Sequence, residues 1–453
     1  MIRLAELDKA RPPDPGHPGR TSTTSGTGST EEHMGDLDRK DGGPRSAIVV
    51  GAGIVGLSTA WFLQERGVRV TVVDREGIAA GSSWGNAGWL SPGLAIPLNE
   101  PAVLRYGLRT LLDRQAPLHV PATPDPRLWQ FLARFAANCT HRSWNRAVRA
   151  NLPFNEECLE AFDILTANGV DAPTIDAPIT ALFETADKAQ TLVKELDRLG
   201  DAGQKVSWTQ LAGPELREHF PQVTDRIGAG IRLDGQRYVD PGRFVESLAR
   251  AVVSRGGTIR HRFEVAAIRR HEYAYTVLSA NGQTVNANAV VLATGAWLGE
   301  LARKWGVRVP VRAGRGYSFT VPTDEPVPSP MYLPDIRVAC TPYQGGLRVA
   351  GTMEFRKPDD PLYPARVDAI IASARPLLKG LRWDERTDVW VGSRPVSADG
   401  RPVIGRTGAP GMYVAGGHGM WGLSHGAVTG KLLAEQMVTG RLPEALRPFD
   451  PLR

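Results

Sequence analysis

Cysteine is scarce in this chain of 453 residues: Cys139, Cys158 and Cys340 are the only three, they lie far apart, and no Cys-x-x-Cys pair occurs. An odd count without close pairs gives no closed disulfide framework and no structural zinc site, and no metal is expected. It also favours a reducing compartment, with the cytoplasm as the expected location. No apolar run is long enough for the ~20 residues that span a bilayer. The longest, Ala47 to Leu63, contains three glycines and is followed by Gln64-Glu65-Arg66, which continues a helical pattern without a small-residue cleavage site. Lysine is sparse as well, nine against 45 arginines, so the net charge of +6 is spread over scattered guanidinium groups. No dense basic run or aromatic-basic repeat accompanies it, and nucleic acid is not an expected partner.

Residues 1–45 are poor in large apolar side chains and contain PPDPGHPGR and TSTTSGTGST, so they read as a disordered tail of near-neutral charge. Met34 stands just before the folded part, so the first 33 residues can reflect the choice of start codon. The remainder exceeds the ~250–300 residues at which single cores stop growing, which calls for two domains. Residues 46–100, 236–308 and 390–453 share a strand-to-helix texture and read as one α/β nucleotide-binding domain. Residues 101–235, mostly helical in pattern, and 309–389, which favour antiparallel strands, read as an α+β domain inserted twice into the first. Within these, Val265 to Ser279 and Thr284 to Leu292 read as strands joined by an Asn281-Gly282 hairpin turn.

The strand Ala47 to Val50 ends in Gly51-Ala52-Gly53-Ile54-Val55-Gly56, and a helix follows to about Arg66. In that setting Gly-x-Gly-x-x-Gly is a dinucleotide fingerprint: Gly51 makes the turn, Gly53 admits a pyrophosphate, and Gly56 lets the helix approach the strand. The helix N-terminus at Ile54 and Val55 offers free N–H groups to the anion. A second strand, Arg69 to Val73, delivers Asp74 and Arg75, the aspartate being placed to bond the 2′-hydroxyl of an adenosine ribose. The choice of FAD over NAD comes from further small and hydroxyl-bearing segments. These are Ser82, Ser83, Asn86, Ala87 and Gly88 after the second strand, the region of Val265, the strand end at Thr294 and Gly295, and the run Gly417, His418, Gly419, Gly422, Leu423 and Ser424. A long flavin dinucleotide needs backbone contacts along its whole length, and the last run lets a helix N-terminus meet the ring.

With these segments in hand, the runs GAGIVGLSTAWFLQERGVRVTVVDRE, SSWGNAGWLSPG, GRGYSFTVP, WVGSRPVSADGRPVIGRT and GGHGMWGLSHGAVTGKLLAEQM resemble bacterial FAD-dependent D-amino-acid dehydrogenases, within the D-amino-acid oxidase and glycine oxidase superfamily. The likeness extends over about residues 46–450. It implies a Rossmann-like FAD-binding domain with an inserted α+β substrate domain built on an antiparallel sheet. It also implies oxidation of an amine carbon beside a carboxylate by hydride transfer to flavin N5, followed by hydrolysis of the imine to a 2-oxo acid and ammonia. Arg394 is placed at the substrate carboxylate, which a planar guanidinium grips with two parallel bonds. Tyr317 is placed in the wall of the substrate pocket. His418 reads as a residue that positions the ring, since hydride transfer from a neutral amine needs no base, and His425 as structural.

Departures from the family pattern bear on the substrate more than on the reaction: Ser393 in place of leucine, Ala398 in place of proline, and bulky Trp89 and Trp421 near the expected ring. No cysteine follows Cys340 to attach a flavin, so FAD is expected to be non-covalent. The electron acceptor stays open between a quinone-type carrier and O₂, as in glycine or sarcosine oxidases, and D-amino acids, cyclic imino acids among them, are the expected substrates. The resemblance also allows a tRNA-directed flavoprotein and a flavin binder without turnover. Leu104, Leu108, Leu111 and Leu112 alternate with Arg105, Arg109 and Arg114, a pattern for either a solvent-facing capping helix or a peripheral contact with an anionic membrane.

Overall fold

The computed structural model describes residues 43–110, 116–121 and 123–453. The amino-terminal tail, and Leu111, Leu112 and Arg114 of the Leu/Arg pattern, lie outside the described residues.

A six-stranded sheet forms around the apolar run Ser46–Val50, in the order Thr258–Arg260, Arg69–Val73, Ser46–Val50, Ala289–Leu292, Met412–Gly416 and Val403–Arg406. The first five strands are parallel and the last is antiparallel. Parallel strands are buried on both faces, which explains their unbroken apolar runs. Val49 pairs with Val72 and Val291, and this face packs on the helices Ile54–Glu65, Pro241–Ser254 and Gly422–Thr439. Ile48 and Val50 face the other way, onto a three-stranded antiparallel sheet of Val265–Arg270, Tyr275–Ser279 and Thr284–Ala287. Two helices approach closely because of glycine: a Cβ on Gly430 would lie 2.6 Å from the Ser58 carbonyl carbon.

Two of the expected strands are divided. The run from Val265 to Ser279 folds back at His271, whose N–H donates to the Ala274 carbonyl at 2.8 Å, and so makes a hairpin of its own. The run from Thr284 breaks at Asn288, whose N–H donates to Ser46 Oγ; the first half joins the small sheet and Ala289–Leu292 joins the parallel one. The turn at Gly282 (φ 86°) stands where the sequence places it.

The second large sheet has nine strands. Its main path is Thr387–Ser397, Val311–Pro322, Gly346–Phe355, Val338–Tyr343, Met331–Leu333, Ile179–Phe183, Ala229–Leu233 and Trp208–Ala212, and Leu118–His119 adds beside Gly346–Phe355. Four of these strands come from the region that reads as helical. Ile179–Phe183 is buried along its whole length and therefore carries no alternation, so the longer helices around it dominate the pattern. Strand Thr387–Ser397 runs through the boundary expected at residue 390 and carries Arg394 on the large sheet. Among the described residues no helix is long and apolar enough to cross a membrane.

Candidate active site

The glycine turn is built by contacts that exclude side chains. Gly51 has φ 114°, and a Cβ there would sit 2.4 Å from the Ala293 carbonyl oxygen. On Gly56 it would sit 1.9 Å from the Gly51 carbonyl, so this glycine sets how closely the helix approaches the turn. Gly53 has more room, with Ser83 Oγ at 3.2 Å. That Oγ accepts from the Ile54 N–H at 3.1 Å, and the next amides of the first turn have no partner within the helix. Asp74 braces the turn: Oδ2 accepts from the Ala52 N–H at 2.8 Å, and Oδ1 from the Glu76 and Gly77 N–H groups at 2.9 Å each.

The carboxyl ends of the central parallel strands open onto one crevice, the position where open α/β sheets hold their ligands. It brings together Gly51, Gly53, Ile54, Val55, Asp74, Arg75, Ser82, Ser83, Asn86, Val265, Thr294, Gly295, His418, Gly419, Gly422 and Leu423 with Arg394. The fit to a dinucleotide rests on three observations. The turn has no Cβ at Gly51 and Gly53, a helix N-terminus offers amide donors, and Thr294 Oγ1 is buried in the crevice wall with no hydrogen-bond partner.

Five of the expected cofactor residues do not line the crevice and serve the scaffold around it. Gly56 packs helix on turn. The Ala87 carbonyl accepts from Thr341 Oγ1 at 2.6 Å. Gly88 (φ 86°) lies against the Val239 carbonyl and donates its N–H to Asn86 Oδ1 at 2.9 Å. Gly417 (φ 74°) packs on Val403. Ser424 Oγ donates to the Trp89 carbonyl at 3.0 Å and accepts from the Ser91 N–H at 3.2 Å. Trp297, Glu300 and Met420 line the crevice too: Met420 sits within the marked run of residues 417–424 and Trp297 just after Gly295, while Glu300 comes with the short helix Leu298–Ala302, which the sequence does not mark.

Arg394 is half-buried, and its guanidinium lies over Gly316 of the neighbouring strand, where a Cβ would come within 2.2 Å of Cζ. Its Nη1 donates to the Thr352 carbonyl at 2.8 Å, and no carboxylate of the described residues pairs with it. Burial lowers its pKa to about 10, so it keeps its charge at neutral pH. The strand is tied to the glycine run of the last helix: the Gly419 N–H donates to the Pro395 carbonyl at 2.9 Å, and Val396 bridges to His418. His418 Nε2 shares a hydrogen bond with Thr429 Oγ1 at 2.9 Å, and desolvation lowers its pKa to about 4, which leaves a neutral imidazole. His425 shares one with Asn155 Oδ1 at 2.7 Å, is lowered to about 3, and does not line the crevice.

Tyr317 requires a correction. Successive residues of a strand point to opposite faces, and the register of Gly314 with Arg394 and Gly316 with Gly392 puts the arginine on the face of the even-numbered residues of Val311–Pro322. Tyr317 is on the other face, in the core beneath helix Pro364–Ala374, and its hydroxyl donates to buried Glu354 at 2.8 Å. It therefore does not line a pocket with Arg394. Neither of the two tryptophans expected near the ring lines the crevice: Trp89 Nε1 donates to Thr341 Oγ1 at 2.8 Å and Trp421 Nε1 to the Ile96 carbonyl at 2.7 Å.

A parallel sheet with a glycine turn at its crevice, joined to a large, mostly antiparallel sheet that brings one arginine to the same crevice, defines a class of flavoenzyme. The profile of the DAO family, described as FAD dependent oxidoreductase, matches residues 46–436, and the chain belongs to that family. It is an FAD-dependent oxidoreductase. The chain is 32% identical to a D-amino acid dehydrogenase of Methylobacterium sp. (strain 4-46) over 414 residues, covering 88% of this chain and 96% of that protein. It is 30% identical to a D-amino acid dehydrogenase of Methylobacterium radiotolerans over 411 residues, with the same coverage of 88% and 96%. Among solved structures, glycine oxidase from Geobacillus kaustophilus has a TM-score of 0.68 at 22% identity, covering 90% of this chain and 98% of that one; this is a likeness of fold.

Proposed function

We propose that the chain oxidises D-amino acids to 2-oxo acids and ammonia, with the parallel sheet and its helices holding FAD non-covalently and the nine-stranded sheet presenting the substrate. The observation that carries this reading is Arg394, a charged guanidinium on the crevice with, among the described residues, one carbonyl partner and no carboxylate. Bound FAD supplies the acceptor for the hydride of the α-carbon. Arg394 binds the substrate carboxylate through parallel N–H···O bonds and so fixes its plane. That orients the α-hydrogen toward one side of the site and disfavours the L-enantiomer, which would turn its side chain there. His418, neutral and hydrogen-bonded to Thr429, holds position and moves no proton. The amine is oxidised to the imine as its α-hydrogen leaves with two electrons, as a hydride, and one N–H proton passes to solvent; water then adds to the imine carbon and ammonia departs, leaving the 2-oxo acid.

The names of the two curated relatives support a dehydrogenase acting on D-amino acids, and a quinone-type acceptor fits that name better than O₂. A peripheral membrane contact from the cytoplasmic side would place helix Pro101–Arg109 at the surface, where Leu108 is exposed beside Arg105 and Arg109. Anaerobic bleaching of the purified yellow protein by a panel of D- and L-amino acids, imino acids and sarcosine tests the reading. Bleaching by D-amino acids is expected, and bleaching confined to sarcosine or glycine would replace the substrate class. Readmitted air should reoxidise the reduced enzyme slowly if the acceptor is a quinone.

A further inference from the structure

We propose that Thr352 is a positioning residue for Arg394, acting through its backbone carbonyl, which a left-handed conformation turns out of the sheet and onto the guanidinium. The inference rests on the reading of Arg394 as the carboxylate anchor.

In a regular sheet, carbonyl groups lie in the sheet plane and pair with the neighbouring strand. Arg394 belongs to Thr387–Ser397 and Thr352 to Gly346–Phe355, and the strand Val311–Pro322 lies between them. The guanidinium thus crosses a whole strand to reach its partner. Two features allow this. Gly316 has no side chain in the path, and Thr352 has φ 60°, a left-handed conformation that a β-branched residue rarely adopts. The conformation sits at a bulge: Arg315 pairs with Glu354 and Tyr317 with Gly351, so two steps on one strand face three on the other. Just there the far side of the strand changes neighbour, from Val338 opposite Gly351 to Leu118 opposite Met353.

The Thr352 hydroxyl does not account for the strain, since Oγ1 is buried and has no hydrogen-bond partner. What the strained backbone does make is the hydrogen bond to Arg394 Nη1 at 2.8 Å. Strain retained at one residue and used by a neighbouring functional group is how such outliers serve a site. With Nη1 held, the remaining N–H groups are presented in one orientation to a carboxylate.

Three variants and a control test this. Thr352→Gly accepts the left-handed backbone freely and Thr352→Val keeps the shape without the hydroxyl, so both should leave the KM for the best D-amino acid and the dissociation constant of acetate, read by flavin absorbance, within about twofold of wild type. Thr352→Pro fixes φ near −65° and turns the carbonyl away; both constants should rise about tenfold or more, with kcat changed much less. Weaker acetate binding in the valine variant would assign the role to the hydroxyl and overturn the inference, as would wild-type constants in the proline variant. Should the proline variant fail to hold FAD, the glycine variant decides: unchanged acetate affinity with a melting temperature no lower than wild type supports the inference, and a loss of either overturns it. Arg394→Ala separates the two readings. If it leaves acetate binding unchanged, the anchor reading itself fails; if it abolishes binding while Thr352→Pro does not, only the role of Thr352 fails.

Discussion

A guanidinium shielded from water needs compensation, usually a carboxylate. Arg401 and Arg453 share Asp399, and Arg348, fully buried, lies between the rings of Trp84 and Tyr343 with Asp388 at 3.8 Å. Arg394 differs from these in having, among the described residues, a carbonyl alone, which is why the proposed function gives it a substrate carboxylate. Replacing it with lysine keeps a cation but loses the planar fork, so Arg394→Lys should retain FAD and lower kcat/KM on D-amino acids by the equivalent of about 2–5 kcal/mol. An unchanged kcat/KM would remove Arg394 from the site. Tyr317 gives the opposite expectation. Tyr317→Phe should leave KM as it is, because the ring points away from the crevice, yet it takes the donor from buried Glu354 Oε2 and should lower the unfolding free energy by about 1–3 kcal/mol in a denaturant titration. A raised KM at unchanged stability would return Tyr317 to the pocket.

At the scale of elements, the first strand, its turn and its helix act as one unit, and the glycines within it have different duties. Gly51 is held by backbone: its φ is 114° and the Ala293 carbonyl fills the place of a Cβ. Gly51→Val should therefore damage the turn itself, giving apo-protein with a lowered melting temperature. At Gly53 the side-chain direction meets only Ser83 Oγ at 3.2 Å, so the fold tolerates more there. Gly53→Val should fold with nearly wild-type stability and still fail to retain FAD, because the added atoms would occupy the approach of the pyrophosphate. Flavin content from the visible spectrum, set beside thermal unfolding of the two apo-proteins, separates them. Full FAD content in Gly53→Val would contradict the assignment of this turn to the pyrophosphate.

At the scale of the whole molecule, burial of ionisable groups sets how stability responds to pH. His418 and His425 titrate near 6.5 when exposed, but at about 4 and about 3 in the folded protein. Between those values and 6.5 the unfolded chain takes up protons that the folded one refuses, so this contribution is complete above 6.5 and is lost as pH falls toward 4. Glu195 works the other way. Burial and nearby Glu100 raise its carboxyl from 4.5 to about 7, so the folded state gains from it at low pH and loses that gain as pH rises. Near pH 5 two imidazoles against one carboxyl leave about one proton taken up on unfolding, so stability rises with pH there, and the slope fades toward 6.5, where the unfolded imidazoles are only half protonated and the carboxyl still opposes them. His425→Gln should flatten that rise in denaturant titrations, and a slope equal to wild type would show that His425 is not the buried neutral group the fold implies.

The local sequence determined the glycine turn at the head of the crevice. A glycine turn between a strand and a helix is specified by residues close along the chain: Gly51 needs positive φ, Gly56 needs contact, and Asp74 lies one crossover away. The hairpin turn at Gly282 is legible for the same reason. The substrate side was decided by register between strands far apart in sequence. Arg394 was marked as an anchor, but neither Gly316 beneath it nor Thr352 beyond it carries a local signal, since both acquire meaning only when Thr387–Ser397, Val311–Pro322 and Gly346–Phe355 are laid side by side. Tyr317 was misplaced by the same omission: the sequence shows that it lies in a strand, and only pairing with that strand's neighbours decides its face. Side-chain period in a strand is two, so a feature that depends on facing is settled by tertiary contacts, whereas one that depends on a single backbone turn is settled by the residues in it.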